Sequence, residues 1–151
     1  MNTTFSHEAI TEALNQSVCE TLENLAFTEV MVAPDTSLNL KPVQCLGTRI
    51  SLGNLGTMDL VLEKNFLEEI GGILFNAGPE GLEPDALPDT LNEILNIIAG
   101  RFLEKLFQGQ SDFTMGLPEP HFDLKEWNTL PIRWVFNNDT GTALAFGVKQ
   151  L

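Results

Sequence analysis

The stretch from 88 to 107 constrains this chain more than any other. Leu91, Ile94, Leu95, Ile98, Ala99, Phe102 and Leu106 recur three or four positions apart, the spacing that lines one face of an α-helix. A face so broad is stable only when buried against other elements. The remainder of the chain supplies candidates. A second helix is expected over 6–26, with Ser6 as N-cap and Glu8 in the first turn, where the helix dipole favours an anion. Ile10, Leu14, Thr21 and Leu25 recur along it, with Leu22 alongside. A third, short helix is expected over 66–75. It leads into an acidic, proline-containing loop that ends at Pro88.

Strands are expected between these helices. One, over 27–32, is stopped by Ala33-Pro34-Asp35. Two more, over 43–52 and 57–62, flank Gly53-Asn54-Leu55-Gly56, a hairpin signal. The last three are expected over 113–117, 132–137 and 143–148, with Asn138-Asp139-Thr140-Gly141 turning the final pair. Ile132, Trp134 and Phe136 alternate, as do Leu144, Phe146 and Val148, which predicts a sheet with one buried face. The order is helix, strands, two helices, strands. Without strict βαβ alternation this reads as α+β, a mixed or antiparallel sheet packed against helices. At 151 residues the chain is expected to form a single domain, 1–151.

Opposite the apolar face of 88–107 lies a polar stripe. Asp89, Glu93, Asn96 and Gly100 follow at spacings of 4, 3 and 4, so they stack along one side of the helix. Glycine within a helix costs about 1 kcal/mol relative to alanine, which invites a packing or functional reason for Gly100. Glu-x-x-Asn spacing is weak by itself. With 14 Glu and 12 Asn, about one such pair is expected by chance, and two occur. On spacing alone, each reads equally well as the solvated side of an amphipathic helix. The second pair, Glu12 and Asn15, follows Glu8 at the same spacing, but Cys19 stands where Gly100 would be.

Charge and composition narrow the function. The net charge is −13, and the 8 Lys and Arg are scattered singly, so the positive footprint that neutralises phosphates is missing and nucleic-acid binding is not expected. Such acidity suits either simple solubility or a protein partner with a basic rim. No apolar run approaches the roughly 20 residues that span a bilayer, and the polar, acidic start lacks a secretion core. A soluble, cytoplasmic protein without membrane contact is expected. Cys19, Cys45, His7 and His121 are isolated from one another, which predicts no metal site and buried free thiols.

The setting of the stripe carries further information. Asp89-x3-Glu93-x2-Asn96-Ile97-Ile98-Ala99-Gly100, followed by Phe113-Thr114-Met115-Gly116-Leu117 and then Pro118, resembles the signature of the CheX/CheC chemotaxis phosphatases. The run Glu20-Thr21-Leu22-Glu23-Asn24-Leu25-Ala26-Phe27 also looks like the start of a CheX chain, and the order of elements fits over nearly the whole length. The resemblance implies removal of a phosphoryl group from a CheY-like response regulator. The partner would supply the phosphorylated aspartate and Mg²⁺, leaving this chain no cofactor of its own. Asn96 would orient the attacking water and Glu93 would anchor the partner's lysine. Asp89 and Gly100 would lie against the partner. A homodimer formed through sheet edges is implied as well. CheC-like members carry two such sites, which makes Glu12 and Asn15 a second candidate, read as a relic or a chance match. CheX-like sequences commonly have Asn after the glycine; here it is Arg101, which is expected to point away from the stripe and to alter packing or dimer contacts rather than abolish catalysis. A non-catalytic module of the same fold, docking a response regulator or a flagellar switch component, is the alternative, and an unrelated acidic α+β domain is the third reading.

Overall fold

The computed structural model describes residues 5–26, 29–32, 45–74, 83–108, 114–127, 129–130, 132–137 and 143–149. Among them lie helices α1 (His7–Ala26), α2 (Lys64–Leu74), α3 (Leu87–Phe107) and α4 (Leu124–Trp127). The strands are β1 (Met31–Val32), β2 (Cys45–Ser51), β3 (Thr57–Glu63), β4 (Glu119–Pro120), β5 (Ile132–Asn137) and β6 (Ala143–Lys149). One antiparallel sheet contains all six in the order β1-β5-β6-β3-β2-β4. The class is α+β, as the sequence pattern predicts.

Local chemistry accounts for the elements. Ser6 caps α1, its Oγ accepting from the Ala9 N–H at 3.0 Å. α3 starts with Pro88 in its first turn, where a missing N–H costs nothing. It ends at Gln108 in a left-handed conformation (φ 54°), whose N–H turns back to the Glu104 and Lys105 carbonyls. The β2–β3 hairpin turns through Gly53 (φ 63°) and Gly56 (φ 121°), conformations that a side chain would strain. Leu52 N–H donates to Gly56 O at 2.8 Å and closes it.

The helices cover one face of the sheet. Ile50, Met58, Leu60, Leu62, Trp134, Phe136, Phe146 and Val148 meet Ile10, Leu14 and Val18 of α1, Phe66 and Ile70 of α2, and the apolar face of α3 in one core. Every member of that predicted face, from Leu91 to Leu106, is buried.

Three expectations need correction. The strand expected over 113–117 lies further along, at Glu119–Pro120, and residues 114–118 have no regular structure. Prolines at 118 and 120 interrupt the edge ladder and confine its regular pairing. The strand expected over 27–32 is regular only at Met31–Val32, with 29–30 irregular and 27–28 outside the described residues. The turn at 138–141 and most of the 76–88 loop also lie outside them, although Asn137↔Ala143 pairing places the two strands as a hairpin would.

The third correction concerns the other face of the sheet, which is partly covered rather than open. α4 and Leu130 lie over it, and Trp127, Leu130, Cys45, Val61 and Val135 form a second apolar cluster with Phe122 at its edge. Gly147 makes room for this layer: a Cβ there would collide with Leu130 and stand 2.9 Å from Trp127 Cζ3. A polar clamp holds the layer down. Arg49 donates from Nε to Asp59 Oδ1 at 2.6 Å and from an Nη to Asp59 Oδ2 at 2.9 Å. It also reaches Glu126 Oε1 at 2.5 Å, and His121 Nε2 lies 2.8 Å from Glu126 Oε2. This bidentate pairing is the strong form of the interaction.

The Arg49 guanidinium, with help from His121, holds the Glu126 carboxyl below its ordinary value of 4.5. A carboxylate with a depressed folded-state pKa stabilises the fold above its unfolded pKa, and that contribution fades as pH falls toward the folded value. The urea midpoint is therefore expected to fall as the pH drops below the ordinary carboxylate value of 4.5, and Glu126→Gln should flatten part of that slope. An unchanged slope in Glu126→Gln would contradict the clamp.

Both cysteines are free thiols; Cys45 is buried as expected, whereas Cys19 is only half-buried. Burial, with Glu63 adding to it, pushes the Cys45 thiol up to about 11. Burial and then Glu23 and Glu20 raise that of Cys19.

Candidate functional site

α3 lies against β2 with its apolar face down, and this orientation fixes where the polar stripe points. Asp89, Glu93 and Asn96 are all exposed, and Gly100 is half-buried. None of the three side chains makes a hydrogen bond or ion pair to any described residue. The neighbouring Asn92 is anchored instead. Thr48 Oγ1 of β2 lies 2.6 Å from Asn92 Oδ1 and 3.1 Å from the Glu119 carbonyl, sharing its single proton between them. α3 is thus tied to the sheet beside the stripe, while the stripe's own polar groups are not engaged by any described residue. An acid and an amide one turn apart offer two acceptor-rich groups and, from the amide, a donor.

Gly100 is not held open by its own chain. Among the described residues, a Cβ there would meet only Met115 Cε, at an ordinary 3.7 Å. Met115 thereby borders the stripe, a neighbour that no local sequence pattern announces. Arg101 points to α1, where it donates from Nη1 to Thr21 Oγ1 at 3.4 Å. With Glu20, Glu104, Lys105 and Gln108 it lines an open cavity of about 470 Å³. No stripe residue reaches that cavity.

The α1 pair is differently placed. Glu12 and Asn15 are exposed, but Glu12 Oε1 accepts from Gln16 Nε2 at 3.3 Å, and Asn15 Oδ1 accepts from Cys19 Sγ at 3.5 Å. Cys19 also packs against the core and reaches the Val30 carbonyl at 3.6 Å. Where α3 has an unencumbered Gly100, α1 has a side chain that closes on the pair. Among the described residues no group of three or more His, Cys, Asp and Glu could hold a metal ion, and no helix is long and apolar enough to cross a membrane.

No protein-family model matches the sequence, and no curated protein does. Solved structures do match. Chemotaxis protein CheX from Vibrio vulnificus superposes with a TM-score of 0.67 over 97% of this chain and 99% of that one, at 18% identity. CheX in the CheX–CheY–BeF3–Mg²⁺ complex from Borrelia burgdorferi gives 0.63 over 95% and 97%, at 15% identity. The fold is that of CheX and CheC. The fold also occurs outside those two. FliY from Thermotoga maritima matches with a TM-score of 0.60 over 98% of this chain and 92% of that one, at 13% identity. On this CheX/CheC fold, the stripe occupies α3, the helix whose sequence carries the resemblance.

Proposed function

We propose that this chain is a phosphatase acting on a CheY-like response regulator phosphorylated on aspartate. The observation that carries the reading is the pair Glu93 and Asn96, exposed and without a hydrogen-bond or ion-pair partner among the described residues, on α3 of a CheX/CheC-fold protein. The Borrelia burgdorferi relative crystallised with CheY, BeF3 and Mg²⁺ supports a partner of this kind. In the proposed reaction a water oxygen attacks the phosphorus of the acyl phosphate. The bond between phosphorus and the aspartate oxygen breaks, and the aspartate leaves as carboxylate. In-line placement of the water matters more than a strong base. Asn96 would do that placing, its carbonyl accepting from water while its NH₂ donates to a phosphoryl oxygen. Glu93 would pair with a lysine beside the partner's phosphoaspartate. Asp89 and Gly100 would lie against the partner surface, and the partner's own Mg²⁺ would neutralise the phosphoryl oxygens.

Turnover of a phosphorylated regulator from the same organism tests the reading. Glu93→Ala is expected to weaken binding to the regulator charged with beryllium fluoride and Mg²⁺ by about tenfold, the scale of a lost charge-assisted contact. Its maximal rate should change less. Unchanged affinity would contradict the anchoring role. The alternative is a module of the same fold that docks a regulator or a flagellar switch component without hydrolysis; the FliY match favours keeping it in view.

A further inference from the structure

Leu117 is the most exposed of the large apolar side chains described, at 86%. Its position follows from a fault in the sheet edge. β4 pairs Pro120 with Thr48 and Glu119 with Arg49, and the His121 N–H donates to the Gly47 carbonyl at 3.0 Å. Continued in that register, Leu117 would stand opposite Ser51. Instead the Gly116 N–H donates to the Ser51 carbonyl at 2.9 Å. Leu117 and Pro118 together therefore oppose the single residue Ile50, which makes a β-bulge. Bulges bend the strand and re-aim a side chain, and proline tolerates one because it has no N–H to leave unpaired.

The bulge lies beside the stripe. At one end of the segment Met115 stands next to Gly100. At the other, Glu119 shares the Thr48 hydroxyl with Asn92. From Gly100 back to Asn92 is about 12 Å of helix, and from Met115 to Glu119 is about 13 Å of extended chain. The two run side by side in opposite directions, so Leu117 lies between these two anchor points, on the segment that borders α3.

We infer that Leu117 is a partner-contacting side chain of the proposed site, seated in an apolar depression of the response regulator next to its phosphoaspartate. The inference rests on the proposed function and adds a specificity determinant to it. The regulator suits this surface because exposed Leu117 lies two residues from exposed Glu119 and on the same side of the protein as the acids Asp89 and Glu93 of the proposed site, which fits a partner that combines basic groups with an apolar contact. A second copy of the chain fits worse. Strand addition at this edge would meet Pro118, Pro120 and the bulge, features that blunt edge pairing.

The test is steady-state turnover of the cognate CheY-like regulator, kept phosphorylated with a small acyl phosphate, alongside binding to the same regulator charged with beryllium fluoride and Mg²⁺. Leu117→Ala is expected to raise KM and Kd together by about tenfold, with kcat within about twofold and Leu117→Met close to wild type. An active wild type with unchanged KM in Leu117→Ala overturns this inference alone. A lowered oligomeric mass with unchanged KM assigns the side chain to self-association and also overturns it. If wild type binds without hydrolysing, weaker binding by Leu117→Ala upholds the contact while the catalytic reading fails. If wild type does not bind, both fall.

Discussion

Asn96→Ala is expected to slow dephosphorylation at saturating regulator by about 100-fold or more, while binding to the beryllium fluoride-charged partner changes little. The size follows from what the amide is asked to do. In the proposed reaction the acyl phosphate is already reactive, so the protein would contribute placement and charge stabilisation, and losing a placed group in such a site costs about 10²–10³ in rate. Asn96 is exposed and has no hydrogen-bond or ion-pair partner among the described residues. Its removal should therefore leave the urea midpoint where it was, because surface positions without contacts move stability by less than about 0.5 kcal/mol. A slow variant with lowered stability would point to misfolding instead. A variant as fast as wild type would remove the amide from the mechanism.

Phe102→Ala should show the reverse pattern. Phe102 lies on the buried face of the same helix, with no exposed surface, among core residues from α1, α3 and the sheet. Truncating a buried phenylalanine costs about 3–5 kcal/mol, from lost transfer energy and the cavity left behind. Against a domain stability of about 5–15 kcal/mol, that is a large share, and urea titration would read it directly. The fraction still folded at low temperature should retain near-normal kcat, since the stripe faces the other way. The paired outcome, rate without stability at 96 and stability without rate at 102, separates the two faces of α3. A Phe102→Ala protein as stable as wild type would contradict the packing of α3 against the sheet.

What was legible in the sequence was what local periodicity encodes. The apolar face of α3, the Ser6 cap, the Gly53–Gly56 turn and strand β5 all follow from spacings within a few residues, and the structure has them where the pattern predicts. The stripe's exposure follows from the same wheel. What was not legible depends on contacts between distant segments. The strand expected over 113–117 was misplaced because its apolar residues read as a strand, whereas pairing is decided by β2 and the two prolines. α4 is only four residues long and is held by the Arg49–Asp59–Glu126 clamp and by the space over Gly147, which no periodicity encodes. The site divides the same way. Asp89, Glu93 and Asn96 could be placed from the helix alone, and Arg101 was rightly turned from the stripe. Met115 beside Gly100, Thr48 bridging Asn92 to Glu119, and the bulge at Leu117 required the fold. The α1 pair repeats the spacing, yet Cys19 packs against the core and bonds to Asn15, a difference that the spacing alone could only hint at.

The central claim is that the exposed pair on α3 catalyses hydrolysis and does not merely hold a partner. The direct measurement is the lifetime of a phosphorylated CheY-like regulator from the same organism, in the presence of Mg²⁺ and about one-twentieth as much of this protein. A catalyst returns to fresh regulator, so the whole population should lose its phosphoryl group in a fraction of its unassisted lifetime. A lifetime unchanged for every cognate regulator, or one altered only when the two proteins are present in equal amounts, would contradict it.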